Sequence, residues 1–272
     1  MTAPPTRRRV GWVRPTVTLL DREVRRFLRQ RSRVFGALGQ PILFWLLLSA
    51  GLNASFRPAG AADGTNSLTW FFPGIIIMVL LFTAIFSTIS IIEDRREGFL
   101  QSVLVAPSPR TALVLGKILG GTLLAAGQGA LLLAAAPFIG ISVTVPSLAL
   151  ALVVLLAVAF ALTGLGVCIA WPMESTQGFH MIMNVFLLPM WLLSGSFFPL
   201  DGAPIWMRIA MQINPLTYGV AALRRVLAPA ALAPGSPVPG LALSLAVTAA
   251  FCSAAFAAAW TMVRFRGTPG TR

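Results

Sequence analysis

The densest run of charge in the chain is Glu93-Asp94-Arg95-Arg96-Glu97-Gly98, which holds three of the eight acidic residues. It continues through Phe99-Leu100-Gln101 to Ala106-Pro107-Ser108-Pro109-Arg110 and Gly116-Lys117, and long apolar stretches flank it on both sides. Glu93, Arg95, Arg96 and Glu97 offer charged contacts of mixed sign, whose register another protein surface can read. Phe99, Leu100, Val103 and Leu104 recur at a spacing that makes one apolar face of a short helix, suited to seating in a groove. Pro107 and Pro109 then stop that helix and fix its exit angle. The chemistry this segment can do is recognition, not bond-making. A capped, solvated loop, with Arg110 and Lys117 anchoring the next apolar stretch, is the simpler alternative.

Catalytic and ligand-binding patterns are missing elsewhere. Gly116-Lys117 lacks the rest of a phosphate loop, because Thr111 stands where the first glycine belongs and Ile118 follows the lysine. The single histidine, His180, has no companion ligand, so no metal centre is expected. Cys168 and Cys252 fall inside apolar stretches and read as small buried hydrophobes. Ser194-Gly195-Ser196 has no base nearby and reads as a point of close packing. No acid or base sits at the centre of any apolar stretch, which argues against a carrier driven by protons or sodium.

The elements that position these residues follow from hydropathy. At 57% hydrophobic and 11% charged, the 272 residues describe an all-α polytopic membrane protein. The net charge of +13 is read as membrane-related rather than as a nucleic-acid surface. A bilayer core needs about 20 apolar residues in helical form. Six stretches qualify, at roughly 36–54, 70–92, 113–139, 147–171, 178–198 and 240–262. Before them, residues 1–35 form an N-terminal segment in which Val17, Leu20, Val24, Phe27, Leu28, Val34 and Phe35 recur at helical spacing. Arg22, Arg25, Arg26 and Arg29 fill the other face, the pattern of an amphipathic helix on a membrane surface. Lys117 lies near the start of the third span, where it is expected to snorkel to the interface.

Residues 36–262 make the transmembrane domain, with a connecting knuckle at 93–110, and 263–272 form a tail. Segment 199–239 is broken by Pro199, Pro204, Pro215 and Pro229 into two short helices, Ile205 to Ile213 and Leu216 to Leu227. It reads as a re-entrant hairpin entering the outer leaflet. With both termini in the cytoplasm, seventeen Lys and Arg fall in inner segments and four in outer ones. That asymmetry follows the positive-inside rule.

In this order the segments resemble the ABC-2 type transporter permeases, membrane subunits of bacterial exporters. The resemblance covers nearly the whole chain. It is carried by Arg96-Glu97-Gly98-Phe99-Leu100-Gln101, then Pro107, Arg110 and Gly116-Lys117, and by Asn214-Pro215-Leu216-Thr217-Tyr218 with Arg224 behind it. Phe99 and Gln101 depart from the Thr and Glu usual in the family. The resemblance implies that the knuckle is a coupling helix contacting a separate ABC ATPase, present in two copies, which holds the ATP and magnesium. This chain itself would bind no cofactor and would be no enzyme. It also implies a second permease subunit, as homodimer or sister heterodimer, in the bacterial cytoplasmic (inner) membrane.

The second and fifth spans would then meet at the dimer axis. Phe71, Phe72, Met78, Phe82 and Phe86 become candidate lining residues on the second span, and Met181, Asn184, Phe186, Met190 and Trp191 on the fifth. An aromatic and methionine-rich wall suits an amphipathic drug or lipid-like cargo, which would leave past the outer hairpin at Asn214, Pro215, Tyr218 and Arg224. An energy-independent channel or a scaffold protein is the alternative, although polar pore rings are lacking.

Overall fold

The structure, a computed structural model, describes residues 11–52, 61–62, 65–106, 109–200 and 203–265, without the side chains of 31–34. Pro107, the first ten residues and most of the tail lie outside the described residues. Helices account for 83% of the described residues, and no β-strand occurs among them. The helices are α1 (Val13–Arg29), α2 (Arg31–Leu52), α3 (Ser67–Arg96), α4 (Phe99–Val105), α5 (Arg110–Leu133) and α6 (Val145–Ala170). After them come a broken helix α7 (Thr176–Ser196), α8 (Ile205–Ile213), α9 (Pro215–Leu227) and α10 (Leu241–Phe265). Helices α3, α5, α6, α7 and α10 are long and apolar enough to cross a membrane, and α2 contains a shorter apolar stretch, Phe35–Gly51. The chain is an all-α, multi-pass membrane protein.

Helix α3 is the axis of the bundle, packed by α2, α5 and α6. It is started by Asn66, whose side chain accepts from the Leu68 amide at 3.0 Å. Its 30 residues extend about 45 Å at 1.5 Å per residue, well beyond a hydrocarbon core of about 30 Å. The charged C-terminal turn of α3 therefore projects past the apolar layer. Small residues let the neighbours close in. A Cβ on Gly121 would lie 2.3 Å from the Ser87 hydroxyl on α3, and one on Gly74 would lie 2.5 Å from Ser196 on α7.

Helix α7 departs from regular geometry. Wide π-type turns at Met183–Leu187 and Leu192–Ser196 bracket Pro189, and Gly195 adopts φ +75°. The backbone is thus unwound at Ser194-Gly195-Ser196, where all three residues are buried against the rest of the bundle. The hairpin is α8 and α9, joined at Asn214, matching the two short helices expected from the proline pattern. Trp206 and Ile209 stay exposed on α8, while Met211 is fully buried.

Candidate functional site

The site grows from the end of α3. Gly98 takes φ +76°, a left-handed conformation that strains other residues, and so turns the chain from α3 into α4. The Arg110 guanidinium after the turn reaches the end of α10, donating to the Arg264 carbonyl at 2.7 Å.

Helix α1 closes over this turn. Its stripe buried against the bundle is Thr16, Leu19, Glu23 and Phe27; of the apolar line expected to face a membrane surface, Phe27 is buried while Val17 and Leu28 are exposed. The reason is a buried contact between Glu23 and Lys117. Lys117 is 5% exposed, and instead of snorkelling it donates to Glu23 Oε1 at 2.6 Å, to Asp94 Oδ2 at 2.5 Å and to the Ser90 hydroxyl at 3.1 Å. Glycine makes that contact possible. A Cβ on Gly116 would sit 2.6 Å from Leu19 Cβ, and one on Gly120 2.8 Å from Glu23 Cβ. The Gly116-Lys117 pair therefore has a mechanical meaning, the glycine admitting α1 and the lysine locking it.

Asp94 is the hub. Fully buried, it accepts both Nη groups of Arg22, at 2.6 and 3.1 Å, and Arg26 Nη1 at 2.6 Å. Arg26 Nη2 also lies 3.0 Å from Glu93 Oε2 and 3.2 Å from Glu97 Oε1. The hydrogen bond to Asp94 raises the Arg22 pKa above its already high ordinary value, so that guanidinium stays charged at any working pH. Fixed, bidentate Arg–carboxylate pairs of this kind define orientation as well as adding energy.

The bases of the knuckle turn the other way. Arg95 Nη1 donates to the Met173 carbonyl at 2.5 Å and Nη2 to the Trp171 carbonyl, with its guanidinium 5.8 Å from the Trp171 ring. Arg96 Nε donates to the Glu174 carbonyl at 3.1 Å. Those carbonyls lie in the connection just past the C-terminus of α6, where the helix dipole favours cations. One turn of α3 thus binds α1 through its acids and the α6–α7 connection through its arginines.

The residues expected to couple divide accordingly. Glu93, Arg95, Arg96 and Glu97 are engaged within the chain, and Leu100 is buried in its core. Phe99 lies under the Arg22 guanidinium at 3.6 Å. What faces outward is a groove of about 480 Å³ between α1 and α4, lined by Arg14, Thr18, Leu19, Phe99, Val103 and Ala106 among others. Val105 projects beside it, 87% exposed.

The candidate pathway residues are split. Phe71, Phe72, Met78 and Phe82 are buried in this chain, and Phe86 is half-buried beside His180, ring centroids 5.8 Å apart. Trp191 is fully buried, donating to the Gly74 carbonyl at 2.8 Å, and Met190 is half-buried. Met181, Asn184 and Phe186 are exposed on α7. In the hairpin, Asn214 caps α9 by accepting from the Leu216 amide at 3.0 Å and donates to the Met190 carbonyl at 2.5 Å. Pro215 occupies the first position of α9, and the Tyr218 hydroxyl donates to the Gln212 carbonyl at 2.9 Å.

Sequence reasoning did not assign Glu23, Asp94, Lys117, Arg22 or Arg26 to the site. The available signal was Glu23 on the same helical face as Leu19 and Phe27, a position where a free carboxylate has no business. No group of side chains among the described residues is arranged to hold a metal ion.

Residues 14–228 match the ABC-2 type transporter family, and the chain belongs to it. Among its relatives is the putative transport permease ycf38 of Cyanophora paradoxa, 28% identical over 200 residues, 72% of this chain and 68% of that one. The probable multidrug ABC transporter permease YbhR of Escherichia coli K12 is 28% identical over 55% of this chain, a match spanning 41% of YbhR. The daunorubicin resistance ABC transporter permease protein DrrB1 of Streptomyces coeruleorubidus is 23% identical over 79% of this chain and 75% of its own length. The fold and these relatives define a transport permease.

Proposed function

We propose that this chain is the membrane subunit of an ATP-driven exporter, powered by two copies of a separate ABC ATPase that carry the ATP and magnesium. It pairs with a second permease subunit in the bacterial cytoplasmic membrane, both termini facing the cytoplasm, and moves an amphipathic drug or lipid-like cargo. The names of the multidrug and daunorubicin-resistance relatives support that cargo class. The basic excess of the segments at the knuckle end supports the orientation.

One observation carries the reading. The groove between α1 and α4 has an apolar floor on a rigid base, because Asp94 and Lys117 fasten the α1 wall to α3 and α5 while buried Leu100 seats the α4 wall in the core. A partner pressing into it moves α1, α3 and α5 together. Exposed charge on Arg14, which lines the groove, and on Glu97, which lies beside Arg26 of α1, gives a docking surface its register.

The test is partner ATPase activity with the permease reconstituted in vesicles. Val103→Glu and Ala106→Trp alter the groove without touching the ion cluster. Each is expected to reduce permease-dependent ATPase activity at least about tenfold, the effect of about 1.4 kcal/mol of lost docking energy. Unchanged activity in both variants contradicts the reading. Cargo flux that persists without nucleotide would instead point to an energy-independent channel.

A further inference from the structure

We infer that Arg224 forms an anion-binding site at the end of the bundle opposite the knuckle, taking one anionic oxygen of a phosphate or carboxylate. Arg224 is only 3% exposed. Its guanidinium lies over the Trp70 ring at 4.1 Å, and Nη2 donates to the carbonyls of Gly195 at 3.1 Å and Trp70 at 3.4 Å. Its Nε has no hydrogen-bond partner.

No carboxylate among the described residues compensates this charge. The six described acids, Asp21, Glu23, Glu93, Asp94, Glu97 and Glu174, all gather around the knuckle. Trp70 and Asp94 lie on one helix, 24 residues and so about 36 Å apart. The Gly195 carbonyl, at the unwound end of α7, offers only the partial negative charge of a helix terminus.

The guanidinium helps line a pocket with Trp70, Ser194, Gly195, Thr217 and Val238, whose free interior is about 20 Å³. That is space for one water-sized group. A terminal oxygen of a phosphate or carboxylate fits it, with the remainder of the molecule held at the mouth. The planar guanidinium suits such oxygens better than an ammonium would. The wall is itself built: neighbouring Arg225 donates to the carbonyls of Pro239 at 2.6 Å and Val238 at 2.5 Å, pinning the loop that closes the pocket. The two arginines divide the work, one fastening the rim and one facing the ligand.

This site needs neither nucleotide nor partner, so it stands or falls independently of the exporter reading. The test uses the full chain in neutral maltoside detergent, following its thermal unfolding midpoint. Three probes are titrated: dihexanoyl phosphatidylglycerol, dihexanoylglycerol with the same chains but no phosphate, and inorganic phosphate. Phosphatidylglycerol is expected to raise the midpoint and dihexanoylglycerol to leave it unmoved. Arg224→Gln, which keeps a donor but loses the charge, is expected to weaken the effect at least about tenfold. Should that variant not fold, Val238→Phe, which fills the pocket with Arg224 in place, must weaken it likewise.

Protection by phosphatidylglycerol alone assigns the oxygen to a lipid headgroup. Arg224-dependent protection by inorganic phosphate assigns it to a free anion. Both uphold the site. Protection that survives both substitutions, protection by dihexanoylglycerol of equal size, or none from either phosphate-bearing probe overturns it.

Discussion

Lys117, Glu23 and Asp94 form a buried charge cluster whose members depend on one another. A buried ion pair is weak evidence of net stability, but removing one partner leaves a charge without compensation and costs about 3–5 kcal/mol. Lys117→Met leaves Asp94 with Arg22 and Arg26 but Glu23 with only a 3.5 Å approach of Arg22 and the Ser90 hydroxyl, and should lower stability by about that amount in chemical unfolding in detergent. Adding Glu23→Gln to Lys117→Met should cost far less than the two single losses combined, because the residues share one network. Additive losses would show that Lys117 does not hold Glu23. The arginines of the knuckle behave differently. Arg95 meets carbonyls and not carboxylates, so Arg95→Ala should loosen the α6–α7 connection, read as faster amide exchange around Trp171 to Ser175. The charged run 93–97 was legible in the sequence as the polar break between two apolar spans. Their partners were not, because a charge shows its type in one dimension but its counterion lies 23 residues away for Lys117–Asp94 and 94 for Lys117–Glu23.

Among the elements, α1 and α5 meet at two glycines, and that closeness sets how force passes between them. Gly120→Val would place a methyl-bearing carbon against Glu23, where even a Cβ falls at 2.8 Å. Overpacking of this kind costs about 1–3 kcal/mol. The expected result is selective proteolysis or amide exchange in α1 while α3 and α6 stay protected. Uniform destabilisation would mean that the Gly120 contact is not what seats α1 on the bundle. Hydropathy located α3, α5, α6, α7 and α10 because burial in lipid requires long apolar runs. It did not reveal which face of α1 packs on the bundle, since that face is chosen by Glu23 and two glycines on another helix. The unwound turns of α7 were signalled only by Pro189 and Ser194-Gly195-Ser196. Their geometry depends on the close approach of Gly74 to Ser196, which no local pattern records.

The whole molecule has two chemically different ends on one apolar bundle. At one, acids and bases are interlocked and an open groove lies between α1 and α4; at the other, Arg224 and Arg225 turn to backbone carbonyls. Phe71, Phe72, Met78 and Phe82 lie within the packed core of the chain, whereas Met181, Asn184 and Phe186 are exposed on α7. The cargo path of the proposed exporter is therefore best sought along the exposed face of α7. Substituting Phe186 by Ala should change cargo preference without altering unfolding, since an exposed aromatic contributes little to the core of its own chain. A drop in unfolding midpoint with unchanged cargo preference would place Phe186 outside the path.

The most direct test of energy delivery through the knuckle is the sidedness of Val105, which projects next to the groove. Val105→Cys is introduced into a chain in which Cys168 and Cys252 are replaced by Ala, and a membrane-impermeant maleimide is applied to intact cells and to inverted vesicles. The expected result is labelling in inverted vesicles only, and protection there once the partner ATPase is bound. Labelling of Val105→Cys from outside intact cells would contradict the account.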